Sequence, residues 1–69
     1  MMEVTEQMVS GRAFRAKHTQ GGDLWVQPTE DWETEDGTQD GVLVFAIDND
    51  GELSVFFFYP VGSCIRYAE

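Results

Sequence analysis

Residues 42–59 read Val-Leu-Val-Phe-Ala-Ile-Asp-Asn-Asp-Gly-Glu-Leu-Ser-Val-Phe-Phe-Phe-Tyr, two apolar runs around a turn signal. Asp48 at the first turn position and Gly51 at the last are typical of a type I turn followed by a left-handed glycine. The pattern predicts a β-hairpin with a three-residue loop, in which Asp48 faces Glu52. The register that follows pairs Ile47 with Leu53, Phe45 with Val55, and Leu43 with Phe57.

Both faces of this hairpin are apolar, whereas a small antiparallel sheet usually covers one face and leaves the other wet. The first face holds the register pairs just given, together with Tyr59. The second face holds Val42, Val44, Ala46, Ser54, Phe56 and Phe58. If Phe57 and Tyr59 face the core, Phe56 and Phe58 need separate cover. We expect that cover from Met2, Val4 and Met8 at the N-terminus, or from another subunit or a partner.

The remaining segments predict further short strands. Side chains of residues 9–17 alternate between two faces, which predicts a half-buried strand with Phe14 as its core anchor. A Gly-Gly turn at 18–23 joins this strand to a second one over 24–28, which ends at Pro28. After a break at 60–63, residues 64–68 form a terminal strand, and residues 1–8 are expected to be a loosely ordered arm, a short first strand or a turn of helix. About five short strands without a helical pattern predict one mostly-β domain over 1–69, either a small antiparallel sheet or an SH3-like open barrel.

The size of the chain makes its own core marginal, because 69 residues bury only about 60% of the surface that the unfolded chain exposes. Cys64 is the only cysteine and His18 the only histidine, so neither an internal disulfide nor a closed zinc site can form. Association with another subunit is the stabilising route left open. We expect Cys64 to be a buried small hydrophobe.

The first residues resemble no signal peptide, and no apolar run approaches the roughly 20 residues of a membrane span. A chain without paired cysteines also fits a reducing compartment. We therefore expect a soluble, cytoplasmic protein, in the host cytoplasm if it is encoded by a phage.

The net charge is −9, and the acids are concentrated in the middle of the chain. Residues 18–65 contain ten acidic residues and no lysine or arginine. Such a surface repels nucleic acid and anionic membranes and attracts basic partners. Residues 29–41 hold six of the acids, two glycines and one large apolar residue, Trp32, a composition that predicts a loop.

No pattern in the sequence indicates catalysis, a cofactor or a metal. The acids of the expected loop lack the apolar cover that would shift a carboxyl pKa, so we interpret them as solvated. The segment 48–52 resembles part of a calcium loop, but Ala46 and Phe57 stand where that loop requires acids. His18 is interpreted as an ordinary turn residue. The basic residues Arg12, Arg15 and Lys17 are expected to pair with the protein's own acids rather than with nucleic acid.

The leading hypothesis is a small acidic protein-binding or regulatory protein without catalytic activity, which binds a basic protein surface. One concrete version is a phage-type inhibitor that mimics nucleic acid and occupies the cationic groove of a nucleic-acid-handling protein. The candidate partner-binding residues are Glu30, Asp31, Trp32, Glu33, Glu35, Asp36, Asp40, Phe56 and Phe58.

The alternative is a structural or accessory subunit of a homo- or hetero-oligomer that uses an apolar hairpin face. An SH3-like peptide-binding module is a variant of this alternative, and its groove would be lined by Trp25, Trp32, Tyr59 and Tyr67. A third reading is that the acidity is an adaptation to a salt-rich host and identifies no partner.

Overall fold

The computed structural model describes all of residues 1–69 and has a mostly-β fold. Its elements are β1 (Met2–Glu3), α1 (Glu6–Val9), β2 (Phe14–Lys17), β3 (Asp23–Thr34), β4 (Gly37–Ile47), β5 (Leu53–Pro60) and β6 (Cys64–Ile65). A four-stranded antiparallel sheet has the order β2-β3-β4-β5, and β1 pairs with β6 in a separate two-stranded sheet. The small antiparallel sheet predicted from the sequence is confirmed, with β2 and β5 as its edges.

The turn of the β4–β5 hairpin is the predicted one. The Asp48 N–H donates to the carbonyl oxygen of Glu52 at 2.9 Å, and Gly51 has φ +81°. The Asp48 carboxylate accepts from the N–H groups of Asp50 and Glu52 at 2.9 and 2.8 Å. The Asp48 carboxylate therefore stabilises the turn through hydrogen bonds to its backbone.

The predicted register is correct at the turn and wrong beyond it. Ile47 pairs with Leu53, but a β-bulge at Val55, where φ is +40°, shifts the following pairs by one residue. Phe45 therefore pairs with Phe56 rather than Val55, and Leu43 pairs with Phe58 rather than Phe57. Because both faces of the hairpin are apolar, the residue pattern has no polar side with which to specify one register.

The bulge decides which side chains of β5 face the core. Beyond it, Phe57 and Tyr59 lie on the face of Val44 and Val42, and Phe56 and Phe58 lie on the opposite, outer face. The core cluster on the inner face consists of Val4, Ala16, Leu24, Val26, Val42, Val44, Ile65 and Ala68.

Both ends of the chain cover this inner face. Of the alternatives expected for residues 1–8, the structure has the short strand, as β1, and the turn of helix, as most of α1. The Thr5 side chain caps α1 by accepting from the Met8 N–H. The expected strand over 9–17 is consequently shortened to β2, and the strand expected over 64–68 is shortened to β6. Cys64 is exposed rather than buried, because Ile65 takes the inward position of β6 and the two residues point to opposite sides.

Residues 29–41 are not a loop, because β3 and β4 continue through them as a hairpin that turns at residues 35 and 36. Pro28 does not end β3. The strand β2 pairs with β3 only as far as Val26, so no strand lies beside Pro28 on that side of β3. No neighbouring carbonyl there needs the N–H that proline lacks. A second bulge follows, where Asp31 has φ +53° and its N–H donates to the Asp40 carboxylate at 2.9 Å. No helix of the structure is long and apolar enough to cross a membrane.

Candidate functional site

The six acids of residues 29–41 lie on a two-stranded extension of the sheet, which we call the acidic arm (residues 30–40). The arm begins where the neighbours of the β3–β4 hairpin stop, since β2 pairs only to Val26 and the last β5 pair joins Pro60 to Gly41. All six acids are exposed, namely Glu30, Asp31, Glu33, Glu35, Asp36 and Asp40. Pairing between two strands, and not burial, gives this charged segment its shape.

The charge of the acidic arm is not neutralised within the molecule. The two ion pairs of the structure both involve Asp23, which lies 3.2 Å from the Arg15 guanidinium and 2.8 Å from the Lys17 ammonium. The hydrogen bond from Lys17, with the nearby charges of Lys17 and Arg15, lowers the pKa of Asp23. The predicted pairing of the basic stripe with the protein's own acids is confirmed for these two cations, and it takes place outside the arm.

Four aromatic side chains form a patch on the outer face beside the acidic arm, and we call it the aromatic cluster (Trp32, Phe45, Phe56 and Phe58). The Trp32 ring stacks on Phe58 with centroids 5.9 Å apart, and it meets Phe56 edge-on at 6.1 Å. Phe45 packs against Phe56 at 5.3 Å. Trp32 therefore joins the two groups of predicted binding residues, the acids of 30–40 and the phenylalanines of β5.

Trp32 covers part of the outer face. The N-terminal residues, one of the two sources of cover expected for Phe56 and Phe58, lie on the inner face, where Val4 is buried. Trp32 covers Phe58, which is half-buried, while Phe56 is still 48% exposed. The aromatic cluster is thus packed against the body of the protein at Phe58 and exposed to solvent at Phe56.

An open cleft of about 620 Å³ lies where α1 approaches the base of the acidic arm. Glu6, Glu30 and Asp40 contribute carboxylates to its lining, and no basic residue lines it. Glu6 was missed by the reasoning from sequence, because nothing in the sequence shows that α1 docks beside the arm. The cleft is therefore a concave, negatively charged surface at the base of the acidic arm.

The four aromatic residues suggested for an SH3-like groove are divided between the two faces of the sheet. Tyr59 and Tyr67 pack against the core, whereas Trp25 pairs with Phe45 on the outer face. The Tyr59 and Tyr67 hydroxyls are hydrogen-bonded to each other. Burial, followed by this hydrogen bond, raises the pKa of Tyr59 to about 12. The two tyrosines therefore have a structural role on the inner face.

The remaining candidates for chemistry are the side chains that bind metals, and His18. No group of three or more His, Cys, Asp or Glu side chains is placed to hold a metal ion. The His18 ring stacks on Tyr67 at 5.1 Å, and its Nδ1 accepts a hydrogen bond from the Gln20 N–H at 3.0 Å. His18 is thereby held as part of the turn, as its interpretation from the sequence has it.

Comparison of the chain with protein-family models, with curated proteins and with solved structures finds no match. What the site can do is therefore argued from its geometry. That geometry joins an exposed negative arm, a carboxylate-lined cleft and an aromatic cluster in one continuous region.

Proposed function

We propose that this protein is a binding protein without catalytic activity, which inserts its acidic arm into a basic groove of a protein partner. The observation that carries the proposal is the placement of six exposed acids on a projecting two-stranded ribbon. None of these six carboxylates forms an ion pair with a lysine or an arginine. A ribbon of this kind can enter a groove, and a one-sign field speeds the encounter with an oppositely charged surface.

The charge density of the acidic arm is close to that of nucleic acid. From residue 30 to residue 35 a strand extends about 17 Å, at roughly 3.3 Å per residue. Six charges over that length correspond to one charge per about 3 Å, compared with one per about 3.4 Å along a single DNA strand and about 1.7 Å for the duplex. This similarity supports the concrete version of the proposal, in which the partner is a nucleic-acid-handling protein and the arm competes with its substrate, as a phage-type inhibitor does.

The aromatic cluster supplies the anchor that a purely electrostatic contact lacks. Phe56 presents about half of its surface next to the acids, held in place by Trp32 and Phe45. Arginine side chains bind carboxylates and also stack on aromatic rings, so a partner rich in arginine can use both parts of the site at once. Desolvated aromatic residues surrounded by polar ones are the usual composition of a binding hot spot.

Capture of partners from a cell lysate tests the proposal when it is combined with matched charge variants. The triple variant Glu33→Gln, Glu35→Gln, Asp36→Asn halves the charge of the arm, and the control Asp50→Asn, Glu52→Gln, Glu69→Gln removes the same charge elsewhere on exposed residues. We expect a basic partner that binds the control within about threefold of the unchanged protein and the arm variant at least about tenfold more weakly.

Salt gives the second readout of the same experiment. Screening acts over a few ångströms at about 0.5 M, so the captured partner should be released there. Equal loss of binding in both triple variants would assign the effect to net charge and remove the role of the arm. A partner that is retained at high salt and is not basic would contradict the proposal.

A second candidate function, the subunit of an oligomer, is favoured by a separate observation. Leu53, Val55, Phe56 and Phe57 are exposed apolar residues on one strand. An exposed patch of this kind marks an interaction site.

A further inference from the structure

Val55 is the strained residue of β5. Its φ of +40° lies in the left-handed region, which a β-branched side chain rarely adopts, and it forms the bulge opposite Phe45 and Ala46. The Val55 side chain is 73% exposed, so no packing around it enforces this conformation. The strain is therefore offset by contacts that the bulge makes possible further along the strand.

The pairing of β4 with β5 changes little when the bulge is removed. In the register of the structure, the bulged register, Val44 and Leu43 pair with the second and third phenylalanines of the run 56–58. A regular register, in which Val55 pairs with Phe45, would join the same two residues to the first and second phenylalanines. Because the side chains of the run are identical, these two pairs cannot distinguish the registers.

Two hydrogen bonds favour the bulged register. The bulge brings Tyr59 to the inner face, where its hydroxyl is hydrogen-bonded to that of Tyr67. It also places Val61 opposite Asp40, whose carbonyl oxygen accepts from the Val61 N–H at 3.0 Å. In the regular register Pro60, which has no N–H, would lie opposite Asp40, and Tyr59 would face the outer side.

We propose that β5 exchanges between the two registers, with the bulged register as the major state and the regular register at about 1–10%. The loss of two hydrogen bonds is similar in size to the strain that the regular register relieves, so the two states are close in free energy. Residues 56–60 move by one position, about 3.3 Å, away from the hairpin turn. The residue released from the bulge enters the turn at 61–63, which precedes β6.

The surroundings of β5 leave room for this movement. Phe57 is 60% exposed and lines an open cleft of about 270 Å³ on the inner face, together with Val44, Val55 and Tyr67. The strand β5 is also an edge of the sheet, and it pairs with β4 alone. The slip therefore breaks no hydrogen bonds to a third strand.

The exchange regulates the aromatic cluster, and this consequence rests on the proposed function. In the bulged register Phe56 lies next to Trp32 on the outer face and is half exposed. In the regular register Val55 takes the position of Phe56, and Phe57 takes that of Phe58 beside Trp32. The exposed ring is then replaced by a valine, so a partner that stacks on this ring selects the bulged register.

The test is amide nitrogen relaxation dispersion of the full chain without any partner. We expect exchange in microseconds to milliseconds at residues 55–60 and 41–45, and none in β2. Val55→Gly removes the steric penalty at positive φ and should lower the population of the regular register at least about fivefold. The control Ser54→Gly introduces the same residue beside the bulge, where φ is not positive, and should not lower this population.

Transposing two neighbouring side chains tests the direction of the slip. Tyr59→Phe alone should raise the ratio of regular to bulged register about fivefold, the equivalent of one lost hydrogen bond. The double variant Phe58→Tyr, Tyr59→Phe moves the hydroxyl to the residue that faces inward in the regular register. The ratio should then rise roughly 25-fold, because one bond is lost in the bulged register and one is gained in the regular register. Nuclear Overhauser contacts between Phe45 and Val55 should appear beside those between Phe45 and Phe56.

Three results would each overturn the proposal. The first is a flat dispersion profile over residues 55–60 of the unchanged protein, which needs no variant to fold. The second is exchange that Val55→Gly leaves unchanged, and the third is a transposed variant that keeps only the contacts between Phe45 and Phe56. Binding of a basic partner to the acidic arm is measured separately, so failure of one proposal leaves the other standing.

Discussion

Gly41 lies where the acidic arm leaves the sheet, and its replacement by alanine tests the close approach of β4 and β5 at that point. A Cβ atom at Gly41 would lie 2.8 Å from the Cα of Pro60 and 2.9 Å from Cζ of Phe58, and it would also collide with the carbonyl oxygen of Tyr59. Two of the three obstacles are backbone atoms of β5, so a side-chain rotation cannot relieve the clash. The strands must separate, or Phe58 and its stack with Trp32 must shift.

The expected cost of Gly41→Ala is at the upper end of the range for overpacking, about 3 kcal/mol. For a domain of this size that loss lowers the melting temperature by about 12–24 °C. With a urea dependence of about 1 kcal/mol per molar, the unfolding midpoint falls by about 3 M. Because small domains have only about 5 kcal/mol of stability, about 2 kcal/mol remain in the variant, and roughly 3% of its molecules are unfolded at room temperature.

The assay is urea unfolding followed by circular dichroism and by tryptophan fluorescence, with Gly37→Ala as the control. Gly37 has φ +102° and nothing within 4 Å of an added Cβ, so its replacement brings conformational strain of about 1–2 kcal/mol without a clash. If Gly41→Ala unfolds within 1 kcal/mol of the unchanged protein, or at higher urea than Gly37→Ala, the packing argument at the base of the arm is wrong.

Four further predictions concern three side chains, Asp23, Tyr59 and Cys64. The hydrogen bond from Lys17 lowers the pKa of Asp23 in the folded protein below 3.8. Ionised Asp23 therefore stabilises the fold above pH 3.8, and this stabilisation is lost as the pH falls through the pKa of the folded protein. We expect the free energy of unfolding of Asp23→Asn to depend less on pH below about 4 than that of the unchanged protein. The raised pKa of Tyr59 gives stability that is complete below pH 10 and is lost toward about pH 12, and ultraviolet titration should show a tyrosine ionising near 12 that is absent in Tyr59→Phe. Tyr59→Phe should also cost about 1 kcal/mol, through the lost bond to Tyr67, in a thermal melt. Cys64 is exposed, so a thiol reagent should modify it in the folded protein as fast as in urea, and slow modification would contradict its exposure.

The features that local chemistry determines were predictable from the sequence. The turn at Asp48 and Gly51 follows from one carboxylate and one left-handed glycine within four residues, and the structure has that turn. The alternation around Phe14 and the Gly-Gly turn at 18–23 also predicted that β2 and β3 are neighbouring strands, although both have other bounds than expected. In each case the deciding residues are neighbours in the chain.

The features that depend on distant pairing were not predictable. The segment 29–41 has the composition of a loop, and it is extended because its two halves pair with each other. Cys64 is exposed because Ile65 takes the inward position of a two-residue strand, which no local pattern indicates. The stack of Trp32 on Phe58 joins residues 26 positions apart, and so the continuity of the candidate site was visible only in the structure.

The placement of Val4 and Ala68 in one core has a consequence for how the chain folds during synthesis. The inner face of the sheet stays open until residues near both ends have met on it, and Val4 also holds Ser63 and Gly62 through backbone hydrogen bonds of 2.9 Å. Contacts between such distant residues are formed late, because the loop they close is long. The core therefore cannot close while Ala68 is still inside the ribosome. A nascent chain that stalls after β5 would expose its apolar sheet to chaperones and proteases.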